Sequence, residues 1–282
     1  MMKWMKKAAV LAVVAAVCFA AGACAQTGAG EMAQVLLNAE KNGAPTPALS
    51  KEFGTTDIAL AYKVQNAYVQ ERLKTETLAG YKGALTAEPL MKKFSATEPA
   101  TAALFASGEI AQGGVIVLDR KGIMLEEEIG FRFGRKISAP VQSVEELKGC
   151  IRTVFPAIEV PLVAFASLAG VNAFDMAAAN IGSWGYIVGK EVPYAGQDLN
   201  AVEVKMTCNG ELFNAGKGSD ALGDQWNALL WIVNNVVKQG GVIEEGHIVI
   251  SGAMGAMKPA KPGAYVADFG AFGSIAFEAK AK

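Results

Sequence analysis

Histidine and cysteine, which often supply catalytic bases, nucleophiles and metal ligands, are scarce in this chain of 282 residues. It has one histidine, His247, and four cysteines. There is no Cys-x-x-Cys pair, no Gly-x-Ser-x-Gly elbow and no glycine-rich phosphate loop. These absences argue against a zinc site, a serine hydrolase and a nucleotide-phosphate site. His247 lies where a Glu-Gly-His-Ile turn enters a strand, so we predict a structural role for it.

An excess of charge of either sign is also absent. The 26 basic and 27 acidic residues give a formal net charge of −1. No basic cluster is spaced for phosphate contacts, so we predict no nucleic-acid partner. Internal repeats and low-complexity tracts are absent as well.

The N-terminus has the pattern of a secretory leader. Lysines at positions 3, 6 and 7 precede an apolar run over residues 8–21, and Ala23-Cys24-Ala25 follows. A membrane helix needs about 20 apolar residues, so the run predicts a signal peptide over residues 1–25 and no membrane span. We expect a periplasmic or secreted protein that begins at Gln26. Cleavage before Cys24 would instead give a lipoprotein, although the usual leucine three residues earlier is missing.

Removal of the leader takes Cys18 and Cys24 with it and leaves two cysteines, Cys150 and Cys208. In an oxidising compartment these two could pair. The alternative is two separate buried thiols, because sequence alone does not fix disulfide geometry.

The pattern along the rest of the chain predicts an α+β protein. Residues 26–79 form a predicted N-terminal helical region, with a helix start at Thr56-Asp57 and one face made by Ile58, Ala61, Val64 and Tyr68. Residues 80–282 form a predicted β-rich catalytic domain. Its expected strands are 114–118, 124–133, 156–160, 184–188, 202–207, 247–251 and 264–269. Helices are predicted from Ser143 toward Val154 and over 224–238, and Asn209-Gly210 predicts a hairpin turn.

Three consecutive glutamates, at 126–128, lie in an apolar segment that reads as a strand. Alternation places Glu126 and Glu128 on one face and Glu127 on the other, where we expect a structural role. Such a run is also typical of a solvated loop, but the apolar flanks Leu125 and Ile129 favour burial. Burial of carboxylates is costly unless they are paired or bind a metal.

Several motifs resemble the 2-keto-4-pentenoate hydratase family, within the fumarylacetoacetate hydrolase superfamily. Gly80-Tyr81-Lys82-x-x-Leu85-Thr86 is similar to the family's Gly-Tyr-Lys-Ile-Gly-Leu-Thr segment. The resemblance covers nearly the whole mature chain. Its other motifs are Ala61–Gln65, Asn209–Glu211 through Trp231–Asn234, Ser251–Gly255, Pro262-Gly263 and Phe272–Ser274.

The resemblance implies a fold and a site. The fold is a fumarylacetoacetate-hydrolase-like mixed β-sheet roll or barrel with an N-terminal helical cap, in a homo-oligomer. The metal ligands are Glu126, Glu128 and Glu159, a hard oxygen set suited to Mg²⁺ or Mn²⁺. Lys82 and Asn180 are the implied catalytic residues, and the implied substrate-binding residues are Lys82, Leu85, Thr86 and Ser251.

The activity implied is that of an exported, metal-dependent, hydratase-like lyase. Its substrate is a small 2-hydroxydienoate or 2-oxo acid, and the reaction passes through a metal-stabilised enolate. Decarboxylation of a vinylogous 2-oxo acid fits the same site. Two departures matter, because Ala100 and Ala179 stand where the family has acids. A non-catalytic periplasmic binder of 2-oxo acids is therefore a further alternative.

Overall fold

The computed structural model describes residues 28–282. The predicted leader, with both of its candidate cleavage sites, lies outside the described residues. Within the described part, no helix is both long and apolar enough to cross a membrane. The helices are α1 (28–41), α2 (Leu49–Phe53), α3 (Ile58–Arg72), α4 (Glu88–Lys93), α5 (Val144–Lys148), α6 (Ala173–Ala178) and α7 (Gln225–Lys238).

The strands alternate with these helices and carry most of the core. They are β1 (Leu78–Ala84), β2 (Ala100–Phe105), β3 (Val115–Leu118), β4 (Met124–Phe133), β5 (Ile151–Val160), β6 (Gly185–Val188), β7 (Val192–Pro193), β8 (Glu203–Cys208), β9 (Glu211–Lys217), β10 (Ile248–Ile250), β11 (Met254–Pro259), β12 (Gly263–Asp268) and β13 (Ser274–Ala281).

Two mixed sheets organise the strands. The larger has the order β2-β1-β10-β4-β5-β6, with β11 added beside β4 and β7 beside β5, and the smaller has the order β3-β13-β12-β8-β9. The main apolar core joins both sheets to α7, whereas the N-terminal helices pack with β2 and α6 in a second cluster. The predicted α+β class is confirmed. The division into a leader, a helical region and a catalytic domain stays a prediction.

The antiparallel pair of β4 and β5 is central to the larger sheet. In its register Glu126 faces Glu159, Glu128 faces Ala157 and Gly130 faces Phe155. The Phe155 ring fills the space over Gly130, where a Cβ atom would come within 2.0 Å of the ring. Only glycine fits there, so this contact fixes the register of the two strands.

Local signals predicted some element boundaries well. Asp57 caps α3 by accepting a hydrogen bond from Ala59 N at 2.9 Å. The β8–β9 hairpin turns at Asn209 and Gly210, both with positive φ, as the Asn-Gly signal predicts. Ile58 departs from the predicted buried face of α3, since it is 46% exposed.

The helix predicted from Ser143 toward Val154 is wrong in its second half. Ser143 does cap it, accepting from Glu146 N at 3.1 Å, but α5 ends at Lys148. Gly149 interrupts the helix, and the β-branched residues that follow favour a strand, so β5 begins at Ile151 rather than at Pro156.

Candidate active site

Strand geometry gathers three glutamates into one buried cluster. Glu126 and Glu128 point to the same side of β4, and Glu159 comes from β5 opposite Glu126. One carboxylate oxygen from each residue lies within 4.8 Å of those of the other two. All three side chains are buried, and Glu128 is fully so. The structure thus brings together the three predicted metal ligands.

The bonding of this carboxylate cluster leaves room for a cation. Glu128 Oε2 accepts a hydrogen bond from Gly252 N at 2.7 Å. Glu128 Oε1 and Glu159 Oε2 are buried with no hydrogen-bond partner among the described residues. Oxygen atoms left without a partner in the interior are costly, and a divalent cation that prefers oxygen ligands would satisfy them. The donor set therefore fits Mg²⁺ or Mn²⁺.

Two members of the cluster, Glu126 and Glu128, hold their protons more tightly than ordinary glutamates do. Burial, with the neighbouring Glu159 charge, raises the pKa of Glu126 to about 8. Burial, reinforced by Glu159 and Glu126, raises the pKa of Glu128 well above its usual range. Without a cation, burial therefore favours the protonated form of both groups.

Lys82 supplies the positive charge that faces this cluster. It lies on β1, is 1% exposed, and its Nζ forms an ion pair with Glu159 Oε1. Nζ also donates to the carbonyl oxygen of Ile181 at 3.2 Å. The sequence around Glu159 contains no basic neighbour, so this pairing could not be found from local pattern.

Asn180 lies beside the site and bonds to the backbone. Its Nδ2 donates to Ala103 O at 3.0 Å, and its Oδ1 accepts from Ala103 N at 2.8 Å. These bonds hold a left-handed turn in which Asn180 and Ile181 have φ of 50° and 48°. The turn aims the Ile181 carbonyl at Lys82. A direct catalytic contact of Asn180 stays a prediction, since its amide is already engaged on β2.

A small cavity, of about 30 Å³, opens beside the carboxylate cluster. Lys82, Glu126, Leu85 and Thr86 line it, together with apolar side chains such as Leu90, Phe94, Met176 and Ile181. Three of the four predicted substrate-binding residues therefore lie at this cavity, which we call the inner cavity. The apolar lining residues were missed, because they come from segments distant in sequence that carry no motif of their own.

Ser251, the fourth predicted substrate-binding residue, does not line the inner cavity. It is fully buried, and its hydroxyl donates to Gln225 Oε1 at 2.6 Å. The next residue, Gly252, supplies the backbone N–H that binds Glu128. Ser251 thus lies behind the site rather than in it.

Glu127 and His247 lie apart from the carboxylate cluster. Glu127 is buried on the other face of β4, where it accepts from Asn214 Nδ2 at 2.7 Å, and burial raises its pKa to about 7. His247 Nδ1 accepts from Glu244 N at 3.1 Å in the turn before β10. Cys150 and Cys208 are free and buried, so the structure has two separate thiols instead of a disulfide.

The sequence matches no protein-family model. It is 28% identical over 236 residues to the 2-keto-4-pentenoate hydratase of Paraburkholderia xenovorans, covering 83% of this chain and 87% of that one. It is 30% identical over 225 residues to the 2-keto-4-pentenoate hydratase of Paraburkholderia phymatum, covering 78% and 85% of the two chains.

The fold is similar to that of the 4-oxalocrotonate decarboxylase of Pseudomonas putida, a structure complexed with magnesium and adipate. The TM-score is 0.83 at 22% identity, over 90% of this chain and 98% of that one. A fumarylacetoacetate hydrolase family protein from Yersinia pestis is also similar, with a TM-score of 0.57 over 72% of this chain and 94% of that one, at 14% identity. The sequence likeness and the shared fold agree: the chain belongs to the 2-keto-4-pentenoate hydratase family and has the fumarylacetoacetate hydrolase fold.

Proposed function

We propose that this protein is a metal-dependent lyase that adds water to a small 2-hydroxydienoate. The observation that carries the proposal is the carboxylate cluster itself. It has three buried glutamates for one lysine, and two of its oxygens have no partner among the described residues. If all three glutamates ionise, one lysine leaves two negative charges, which a divalent cation would balance. Membership of the hydratase family supports the choice of reaction.

In this proposal Glu126, Glu128 and Glu159 hold Mg²⁺ or Mn²⁺. When bound, the ion would supply a Lewis acid for the carboxylate and the oxygen on carbon 2 of the substrate. Lys82, at the wall of the inner cavity, offsets negative charge on the substrate and carries a proton at Nζ. The Ile181 carbonyl holds Nζ in place, and the apolar wall limits access of bulk water.

Decarboxylation of a vinylogous 2-oxo acid is the second candidate, and one observation favours it. Among the described residues, Lys82 and Glu126 are the ionisable groups that line the inner cavity. Ala100 and Ala179 contribute no acid there. Hydration needs a group to position or activate water as well as a proton donor, whereas decarboxylation needs a proton returned to carbon. The same scarcity of acidic groups at the inner cavity is compatible with a third candidate, a protein that binds 2-oxo acids without turnover.

An assay of purified protein separates these candidates. The protein is incubated with Mg²⁺ and 2-hydroxypenta-2,4-dienoate, and with a panel of 2-oxo acids, while dienoate loss and CO₂ release are followed. Hydration predicts dienoate loss without CO₂, and chelation by EDTA should abolish it. CO₂ release would identify a decarboxylase. Calorimetric binding without either change would identify a binding protein and overturn the lyase proposal.

We further propose that the protein is exported and assembles as a homo-oligomer. The charged N-terminus, the apolar run and the small residues before Gln26 support export. Intact-mass measurement of native protein should give a chain that begins at Gln26. A diacylated Cys24 would show a lipoprotein, and a retained leader would contradict export. Sedimentation velocity should show a species larger than one chain.

A further inference from the structure

A second cavity, of about 580 Å³, adjoins the inner cavity. We call it the outer cavity. Leu85 lines both. Leu85 has a φ of 54°, in the left-handed region that an ordinary side chain adopts at a cost. A strained residue is therefore shared by the linings of the two spaces, and strain of this kind is often found where a ligand acts.

The volumes of the two cavities indicate that a ligand must use both. At about 30 Å³, the inner cavity has room for only a few water molecules. Sites for small organic ligands commonly measure about 300–1,000 Å³. The outer cavity falls within this range. Movement of the Leu85 side chain would join the carboxylate cluster to a space large enough for an extended substrate.

The chemistry of the outer cavity favours an uncharged tail. Its lining includes the buried Tyr62, Ala100 and Phe174, and small alanines leave the space open. The exposed Ile58 and uncharged polar side chains, among them Thr97, Asn172 and Gln239, complete the wall. The Tyr62 hydroxyl accepts from Thr101 N at 3.2 Å and from an amide of α7 at 3.0 Å, so this polar group is already engaged within the protein.

Among the described residues that line the outer cavity, the charged ones lie at its rim. Glu98 and Lys238 line it and are exposed to solvent, and their opposite signs give the rim no net charge. An interior of this kind stabilises alkyl or aryl surface removed from water, and it offers little to a second carboxylate.

We propose that the outer cavity receives the substrate's tail, and that the protein selects 2-hydroxydienoates or 2-oxo acids with an uncharged alkyl or aryl substituent remote from the carboxylate. The selection rests on the proposed function for its reaction, but the binding preference can be measured without turnover. Burial of each methylene group should improve recognition roughly fourfold.

The kinetic test compares 2-hydroxydienoates whose terminal substituent is hydrogen, butyl or phenyl, in the presence of Mg²⁺. We expect the butyl and phenyl compounds to have kcat/KM values at least about tenfold above that of the unsubstituted compound. Ala59→Trp, which fills the outer cavity from α3, should reduce this preference to about twofold. Gln70→Trp places the same ring on an exposed position about 16 Å further along α3, at a residue that lines neither cavity, and should keep the preference.

A binding test keeps the tail proposal separate from the lyase proposal. Dissociation constants of 2-oxopentanoate and 2-oxononanoate are measured by calorimetry with Mg²⁺ present. Tighter binding of the longer acid, lost in Ala59→Trp, supports the outer cavity even if no compound turns over, in which case the lyase proposal fails alone. Equal constants and equal kcat/KM values along both series overturn the tail proposal. Failure of every compound to bind or react overturns both proposals.

Discussion

Lys82 and Glu159 form a buried ion pair although 77 residues separate them in sequence. They lie on β1 and β5, with β10 and β4 between them in the larger sheet. In a flat sheet, three strand spacings of about 4.8 Å would hold the two backbones roughly 14 Å apart. The curl of the sheet brings the side chains together. The curvature of the sheet thus determines where the Lys82 ammonium group lies relative to Glu159.

Replacement of this lysine separates a catalytic role from a structural one. Lys82→Met should lower turnover on the order of 10²-fold or more, because it removes a charge beside the reacting substrate. Divalent-ion affinity should not weaken, since no metal ligand is lost. Sequence alone predicts an unchanged melting temperature. The buried pair leads us to expect a metal-free protein destabilised on the order of 3 kcal/mol, measured by urea unfolding. An unchanged rate would remove Lys82 from the chemistry.

The two faces of β4 should respond differently to the same substitution. Glu128→Gln removes a charged oxygen donor from the carboxylate cluster and should abolish tight Mg²⁺ binding. Glu127→Gln is the matched control, because its side chain contacts Asn214 on the opposite face. Its Mg²⁺ dissociation constant, measured by calorimetry, should stay within about twofold of wild type. Loss of binding in the Glu127 variant alone would mean that the ligand face has been assigned wrongly.

The buried carboxyls should make the metal-free protein less stable as pH rises. The pKa of Glu126 is raised to about 8 and that of Glu127 to about 7, from an ordinary value of 4.5. At pH values between the ordinary pKa of the unfolded chain and the raised pKa values of the folded chain, the folded state binds more protons than the unfolded state. The free energy of unfolding therefore falls as pH increases. Urea unfolding in EDTA should show this decline between pH 5 and pH 8.

Mg²⁺ should oppose that decline, because it binds the deprotonated carboxylates and displaces their protons. Its affinity should therefore rise with pH up to about 8, and proton release should accompany binding below that value. Calorimetry in buffers of different ionisation enthalpy measures the number of protons released. Metal-free protein whose stability instead rises from pH 5 to pH 8 would contradict the raised pKa values.

Asn180 offers a test of positioning against direct catalysis. Asn180→Ala removes both bonds to Ala103 and places alanine in a left-handed conformation, so we expect a loss of stability of about 3 kcal/mol. Asn180→Asp keeps the acceptor but sets a carboxylate oxygen against the Ala103 carbonyl oxygen, so it should be destabilised by a comparable amount. If Asn180 only holds the turn, its replacement should act through Lys82, because the turn positions the Ile181 carbonyl that binds Lys82 Nζ. In that case kcat should fall no further than it does in Lys82→Met, with little change in KM. A large fall in kcat without any loss of stability would favour direct contact with substrate.

Local rules predicted one part of the site and could not reach the rest. Alternation along a strand places Glu126 and Glu128 on one face, and the Asn-Gly turn and the Asp57 cap follow from backbone preferences. The bonds of Lys82, Asn180 and Ser251 depend on how segments 77 to 122 residues apart meet. Sequence periodicity does not predict such long-range contacts. Residues that the same kind of motif predicts to bind substrate therefore differ in position, and some line the inner cavity whereas Ser251 lies behind it. The family resemblance predicted which residues belong to the site, but only the structure shows where each of them lies.

The contact of Phe155 with Gly130 has a consequence for how this protein can vary. Glu126 lies four residues before Gly130, and Glu159 lies four residues after Phe155. The same β4–β5 register therefore sets both the contact of Phe155 with Gly130 and the pairing of Glu126 with Glu159. A single inserted residue between positions 126 and 130 would turn Glu126 toward the opposite side or force a side chain into the Phe155 ring. The length of this stretch is therefore fixed, and its composition can change only at positions other than the metal ligands and Gly130. A one-codon insertion or deletion would remove cation binding and core packing together.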